Sequence, residues 1–218
     1  MAIPKNIFQT FKTSKLPFIT RFYIRRLKKQ NPDWNYQFYD DEKILDFFEK
    51  EYPPEYLKAY TSLTIGAAKA DFFRYAVLYK FGGVYLDIDG YARTPLDRFL
   101  APDDEAVISN EGNPGLFCQW GLIFNREHPF LKRTLEKVLD NILQHRYPHN
   151  VHQTTGPGVY TSAVNEIIAE QPDVSYRILG IDFEGHLRPK YKLSKLALYK
   201  NRSAHWRKEQ ETRDIISN

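Results

Sequence analysis

The sequence contains one cysteine, Cys118, which rules out an internal disulfide. Nothing near Cys118 reads as an activating base, so it is not a nucleophile. No apolar run approaches the roughly 20 residues of a membrane-spanning helix. The opening MAIPKNIFQT lacks the apolar core of a secretion signal, which implies an intracellular protein. Neither charge sign dominates: 31 basic and 27 acidic residues leave a net charge of +4. No zinc finger or RNA-recognition signature is present, and no nucleic-acid partner is expected. Low hydrophobicity is also missing, because 42% hydrophobic content is too much for a disordered chain.

What is present is aromatic. Fifteen Tyr and 15 Phe suit core and cleft walls, with a minority available for stacking on bases and sugars. At 218 residues the chain is expected to form one domain, 1–218, with a sizeable core. Basic residues concentrate late, at Arg188, Lys190, Lys192, Lys195, Lys200, Arg202, Arg207 and Lys208. Such a run is either a solvated face or a surface for a diphosphate, an anionic acceptor or an anionic membrane.

The stretch from Ala67 to Asp89 organises the rest. Ala67, Ala68 and Ala70 favour helix, and dense apolar residues follow through Leu78. Asp71 and Arg74, three apart, share one helix face. Gly82 suits a left-handed helix end, and Gly83 adds backbone freedom. Val84 to Asp89 then reads as a strand, so alternation predicts Asp87 and Asp89 on one side and Leu86 and Ile88 in a core. Two carboxylates so placed suit Mg²⁺ or Mn²⁺, with a substrate phosphate completing the shell. Asp-x-Asp alone carries no weight, since 14 Asp in 218 residues supply about one by chance. The other reading is a solvated strand end.

Elsewhere the pattern alternates. Strands are predicted at Ile3–Thr10, Tyr36–Tyr39, Ala106–Ser109, Trp120–Asn125 and Tyr176–Ile181. Helices are predicted at Phe18–Gln30, Glu42–Glu51, Phe130–His145 and Tyr160–Glu170. The first helix has a basic face. Asp40 and Asp41 read as helix N-caps. Leu131, Leu135, Val138, Leu139 and Ile142 form one stripe that packs on a sheet. Tyr147–Gln153 is His-rich, but Pro148 and Asn150 make it a loop and a zinc site is not expected. Thr154-Thr155-Gly156-Pro157-Gly158 can line a cleft with backbone N–H groups before a helix. This order of elements predicts an α/β nucleotide-binding fold.

The Ala67–Asp89 segment resembles glycosyltransferase family 32, the DXD sugar-binding family of yeast initiating mannosyltransferases and many bacterial polysaccharide enzymes. That family's pattern is a small-residue helix with Asp and Arg, then Tyr-Gly-Gly-Val-Tyr-x-Asp-x-Asp; here Phe81 replaces the first Tyr. The spacing of Asp71, Arg74, Asp87 and Asp89 is also similar to that in clostridial glucosylating toxins. Further likenesses are Ile3-Pro4-Lys5-x-Ile7-x-Gln9, Asn125 with His128-Pro129, and Thr155-Gly156-Pro157.

The resemblance implies a GT-A fold: a mixed central sheet flanked by helices, with a donor core of about 1–125 and acceptor-side segments of about 126–218. It implies a metal-dependent, retaining transfer of a hexose from a UDP- or GDP-sugar to a glycan or glycolipid acceptor. Asp71, Arg74, Asp87 and Asp89 would be catalytic. Gln9, Thr10, Phe11, Asn110, Asn125 and Gly156 would face the donor or acceptor; by their residues alone they read equally as strand, turn and cap. Asp87, Asp89 and His205 would hold Mn²⁺ or Mg²⁺. The family's Ser-Trp after the late His is absent, and Trp206 adjoins His205 instead. The yeast relatives are membrane-anchored in the Golgi, so the missing anchor points to a cytoplasmic, bacterial or viral protein, with contact to the inner membrane face as an extension.

Three alternatives stand beside this reading. One is a toxin-like protein glycosyltransferase with the same donor site. Another is a catalytically silent carbohydrate-binding module, against which the intact acids and arginine speak. The third is a haloacid-dehalogenase-type phosphatase, suggested by Tyr85-Leu86-Asp87-Ile88-Asp89-Gly90. It wants Thr or Val after Gly90 and finds Tyr91, and Gly180-Ile181-Asp182 does not supply its later acid pair.

Overall fold

The structure is a computed structural model that describes residues 3–198 and 206–217. The chain runs β1 (Asn6–Thr10), α1 (Phe18–Gln30), β2 (Asn35–Tyr39), α2 (Asp41–Glu51), α3 (Pro54–Ser62), α4 (Gly66–Phe81) and β3 (Gly83–Leu86). It continues through β4 (Tyr91–Ala92), β5 (Ala106–Ser109), β6 (Gly121–Phe124), α5 (Pro129–Leu143), α6 (Val151–Thr154) and α7 (Pro157–Glu170). Last come β7 (Arg177–Leu179), β8 (Leu187–Arg188), α8 (Ser194–Leu198) and α9 (Trp206–Thr212).

Six strands form one mixed sheet in the order β2-β1-β3-β6-β5-β7, and β4 pairs with β8 as a separate ribbon. Within the large sheet only β6 runs against its neighbours. The carboxyl ends of β1, β2, β3, β5 and β7 therefore meet along one edge. The chain leaves β1 for β2 on one side, while β3 pairs with β1 on the other. Such a switch opens a crevice at the strand ends, the usual ligand position in an open α/β sheet.

Both sheet faces are covered, so side-chain alternation divides the strands between two cores. Phe8, Tyr85, Ile108 and Leu122 face the layer of α2, α4, α5 and α7. Ile7, Val84, Leu86, Val107 and Ile123 face the opposite side with Leu27, Trp34, Phe183 and Leu187. Helix α4 is the central element of the first core. Phe72, Phe73, Tyr75, Ala76, Val77 and Leu78 are all buried, as are Asp71 and Arg74. Such burial all round explains why α4 lacks a polar stripe.

Gly82 ends α4 with φ 61°, and Gly83 follows with φ 123°. A Cβ at Gly83 would lie 2.5 Å from the Asn6 carbonyl oxygen, so only glycine lets β3 enter beside β1.

Several expectations need correction. The strand predicted through Asp89 ends at Leu86. Asp87 to Asp89 form a turn closed by the Gly90 N–H on the Asp87 carbonyl at 2.7 Å, so strand alternation does not place the two acids. Helix α3 was not predicted: Pro54 opens a helix at its first turn, where the missing N–H costs nothing. The Tyr147–Gln153 loop contains α6, whose Asn150 side chain accepts from the Gln153 N–H.

Candidate active site

Arg74 is the centre of the site. It is 5% exposed, so its charge needs partners close by. One guanidinium nitrogen, Nη2, donates to Asp87 Oδ1 at 2.9 Å and lies 3.2 Å from Asp71 Oδ1. The other, Nη1, donates to the Gln119 carbonyl at 2.8 Å. The Tyr85 ring lies 4.9 Å from the guanidinium carbon, and its hydroxyl donates to Asp87 Oδ1 at 3.2 Å. One arginine on α4 thus fixes an acid from its own helix and another from the turn after β3.

Asp71 is buried and holds a second link. Thr155 Oγ1 donates to its Oδ2 at 3.0 Å. The Tyr75 hydroxyl donates to the Thr155 carbonyl at 3.0 Å and accepts from Gln119 Nε2 at 2.6 Å. Burial lifts the Asp71 carboxyl to about 7, against the opposing pull of Arg74 and with a further push from Asp87. Thr155→Val removes one direct partner of this carboxylate, leaving Arg74 and the Gln119 side chain. The expected cost is about 1–3 kcal/mol in chemical denaturation, with Thr155→Ser close to wild type.

Asp89 differs in kind. It is 4% exposed, and its Oδ2 is buried without a hydrogen-bond partner among the described residues. Burial, then the neighbouring Asp87 charge, lifts its carboxyl to about 7, while Lys190 pulls the other way. The Asp89 backbone is well held, because its carbonyl accepts from the Tyr191 N–H at 2.8 Å. The Tyr191 hydroxyl pairs with Thr20 Oγ1 at 2.6 Å, and its ring stacks on Tyr23 with centroids 4.4 Å apart. A fixed backbone below an orphaned carboxylate oxygen suits a hard cation. Asp87 is 30% exposed and opens toward the same crevice. Among the described residues no group of three or more His, Cys, Asp or Glu could hold a metal ion. A cation at this pair therefore needs further oxygens, such as those of a substrate diphosphate.

Gln9 belongs to this cluster: its Nε2 donates to the Asp87 carbonyl at 3.0 Å, and Tyr36 donates to its Oε1 at 3.1 Å. Thr10 and Phe11 sit at the same edge. The Thr10 hydroxyl and the Phe11 N–H both donate to the Tyr39 carbonyl, at 2.8 and 3.2 Å. Asn110 ends β5 on this edge, with an exposed side chain. Gly156 caps α7 beside Thr155, and its carbonyl lies 3.5 Å from the Tyr75 hydroxyl.

Asn125 is not part of the site. β6 pairs Gly121 with Leu86 and Phe124 with Gly83, so Asn125 lies beyond the opposite end of β3. There its Oδ1 accepts from the Arg126 N–H at 2.8 Å. Antiparallel pairing of β3 and β6 is what separates it from Asp87. His205 lies outside the described residues.

Gln119, Thr155, Tyr191 and Lys190 were not among the expected catalytic, donor-side or metal-holding residues. Thr155 had a signal, its place before Gly156-Pro157. Lys190 had one too, its place in the late basic run, and Tyr191 had none. They are delivered by a tight turn in which Asp182, Phe183 and Glu184 all have positive φ. Each such residue costs roughly 1–2 kcal/mol. The turn is tied down by Ser109, whose hydroxyl donates to the Gly180 carbonyl at 2.6 Å and accepts from the Phe183 N–H at 2.7 Å.

Residues 17–111 match the family described as the glycosyltransferase sugar-binding region containing a DXD motif. The chain is 28% identical over 214 residues to the initiation-specific alpha-1,6-mannosyltransferase of Candida albicans, covering 78% of this chain and 55% of that protein. It is 31% identical over 157 residues to inositol phosphoceramide mannosyltransferase 3 of Schizosaccharomyces pombe, covering 72% and 43%. The chain thus spans about half the length of these curated relatives. Among solved structures it resembles the PaToxG glycosyltransferase with a TM-score of 0.65 at 23% identity, covering 78% of this chain and 71% of that one. The mixed sheet flanked by helices is the GT-A fold, and the Asp87-Ile88-Asp89 turn beside Arg74 is the motif named by the family; residues 17–111 are a glycosyltransferase sugar-binding region containing a DXD motif.

Proposed function

We propose that the protein transfers a hexose from a nucleoside-diphosphate sugar, UDP- or GDP-linked, to a saccharide or glycolipid acceptor. The observation that carries this is the orphaned Asp89 Oδ2 beside the half-open Asp87, at the strand-switch crevice. Two relatives are named mannosyltransferases, one of them acting on a phosphoceramide, which favours mannose as the hexose and a lipid-borne acceptor.

In the transfer the anomeric C–O bond to the diphosphate breaks and its electron pair stays on the diphosphate. The acceptor hydroxyl oxygen bonds to the anomeric carbon and its proton passes to the departing diphosphate or to solvent. Asp87 and Asp89 would hold Mn²⁺ or Mg²⁺, which supplies positive charge for the diphosphate oxygens. Lys190 acts electrostatically on both carboxylates, so it offers positive charge to the same leaving group. Asp71 and Arg74, locked together, present fixed hydrogen-bonding groups to the sugar hydroxyls. Retention of configuration follows the family pattern, with no nucleophile assigned.

The test is slow hydrolysis of a panel of UDP- and GDP-sugars with and without Mn²⁺. One donor should release nucleotide at least about tenfold faster with the metal than without. No release from any donor, together with no metal-dependent nucleotide binding, would leave a carbohydrate-binding module. Turnover with protein acceptors and none with saccharides or glycolipids would favour the toxin-like reading.

A further inference from the structure

Away from the crevice, α1 and the segment ending in α8 form a second notable surface. Phe18 is 69% exposed, Phe22 49%, Leu193 63% and Leu196 74%. They stand on α1 and on the segment ending in α8, and the two helices pack together. The Phe22 ring meets Tyr23 edge-on at 5.6 Å, and Tyr23 stacks on Tyr191, two residues before Leu193. Between α1 and α8 an open cleft of about 550 Å³ is lined by Ser14, Lys15, Leu16, Pro17, Arg21 and Ala197. Bare apolar side chains gathered on one face mark an interaction site.

The charge around them is of one sign. Residues 12–30 contain seven Lys or Arg and no acid, and residues 186–198 contain four and no acid. The rest of the chain carries 20 basic against 27 acidic residues, so a weakly basic protein concentrates its positive charge here. Arg21, Arg25, Arg26, Lys28, Lys192 and Lys195 are exposed.

We infer that this face docks on an anionic lipid surface, with Phe18, Phe22, Leu193 and Leu196 entering the interface and the basic side chains meeting lipid phosphates. A second copy of the chain fits poorly, because two faces of like charge would meet. Nucleic acid matches the charge but gives the four aliphatic and aromatic side chains no apolar medium. Among the described residues no helix is long and apolar enough to cross a membrane, so this is surface docking.

The face is one layer from the site. On its inner side Tyr23 stacks on Tyr191, and the Tyr191 N–H binds the Asp89 carbonyl. Docking would hold the crevice at the bilayer, within reach of an acceptor carried by a lipid. Docking itself does not depend on the transferase reading; only its use in acceptor delivery does.

The experiment is co-sedimentation with phosphatidylcholine vesicles, pure or one-third phosphatidylglycerol, alongside donor hydrolysis in solution. Wild type should bind the anionic vesicles at least about tenfold better than the neutral ones. Arg25→Gln with Lys195→Gln should weaken that binding about 25-fold. Phe22→Ser with Leu196→Ser should weaken it roughly tenfold. Donor hydrolysis in solution should be unchanged in both variants. Equal binding to both vesicles, or unaltered binding by both variants, would overturn the inference. So would tighter binding to an oligonucleotide than to vesicles, or a dimer that the Phe22→Ser, Leu196→Ser variant dissolves.

Discussion

Asp89→Asn should lose at least about 1000-fold in metal-dependent turnover and, at pH 8, melt at a higher temperature than wild type. Both signs come from one atom. The Asp89 Oδ2 is buried and unpartnered, so without a cation its negative charge opposes folding. A carboxyl at about 7 in the fold, against an ordinary value near 4, binds its proton more tightly folded than unfolded. Folding is then unpenalised below about pH 4, and the penalty grows as pH rises toward 7. Replacing the charge by a neutral amide should raise metal-free stability at pH 8 by about 2 kcal/mol, or about 5 °C. That advantage should shrink to a small remainder by about pH 4 and vanish below it, where Asp89 is protonated in both states. Thermal melts of both proteins in chelator at pH 4 and pH 8 measure it. A variant less stable than wild type at pH 8 would show that Asp89 is already satisfied in the metal-free protein.

Arg74→Ala should be the most damaging single change. It strands two carboxylates, of which Asp71 is fully enclosed. Breaking a buried ion pair by removing one partner costs about 3–5 kcal/mol. A domain holding roughly 5–15 kcal/mol in all would lose much of its margin. Adding Asp71→Asn to Arg74→Ala should recover part of this, because it removes one stranded charge. Arg74→Lys should fold, yet a single ammonium cannot reach Asp71, Asp87 and the Gln119 carbonyl with the spread of a guanidinium. Its turnover should fall about 100-fold. Denaturant midpoints of the three variants, beside donor hydrolysis, separate the two effects. If Arg74→Ala folds as stably as wild type, the ion cluster does not hold the site together.

The helix with Asp71 and Arg74, the double glycine and the acid pair were all legible before the fold was known. Each rests on a local rule: dense apolar spacing over one helix, left-handed backbone at Gly82 and Gly83, then a short apolar strand. What local rules could not supply is long-range pairing. Alternation carried the strand to Asp89, but the Asp87 N–H bonds to the Trp120 carbonyl and the chain turns there. Asn125 was drawn to the site by the family likeness of its strand and the His128-Pro129 that follows. The direction of β6, set by its antiparallel pairing with β3, puts it at the far end. Gln119, Thr155 and Tyr191 reach Arg74, Asp71 and Asp89 from 45, 84 and 102 residues away along the chain. No periodicity encodes contacts of that span. The exposed apolar residues of α1 were equally hidden, since the pattern there marks a basic face and only burial sets Phe18 and Phe22 outside the core.

The central claim is that Asp87 and Asp89 take a divalent cation together with a nucleoside diphosphate. Calorimetric titration of UDP and GDP into wild type and Asp89→Asn, each with Mn²⁺ and with chelator, tests it most directly. The expected result is one nucleotide whose affinity rises at least about tenfold with Mn²⁺ in wild type and not in the variant. Equal affinity with and without metal, or the same rise in both proteins, would contradict it.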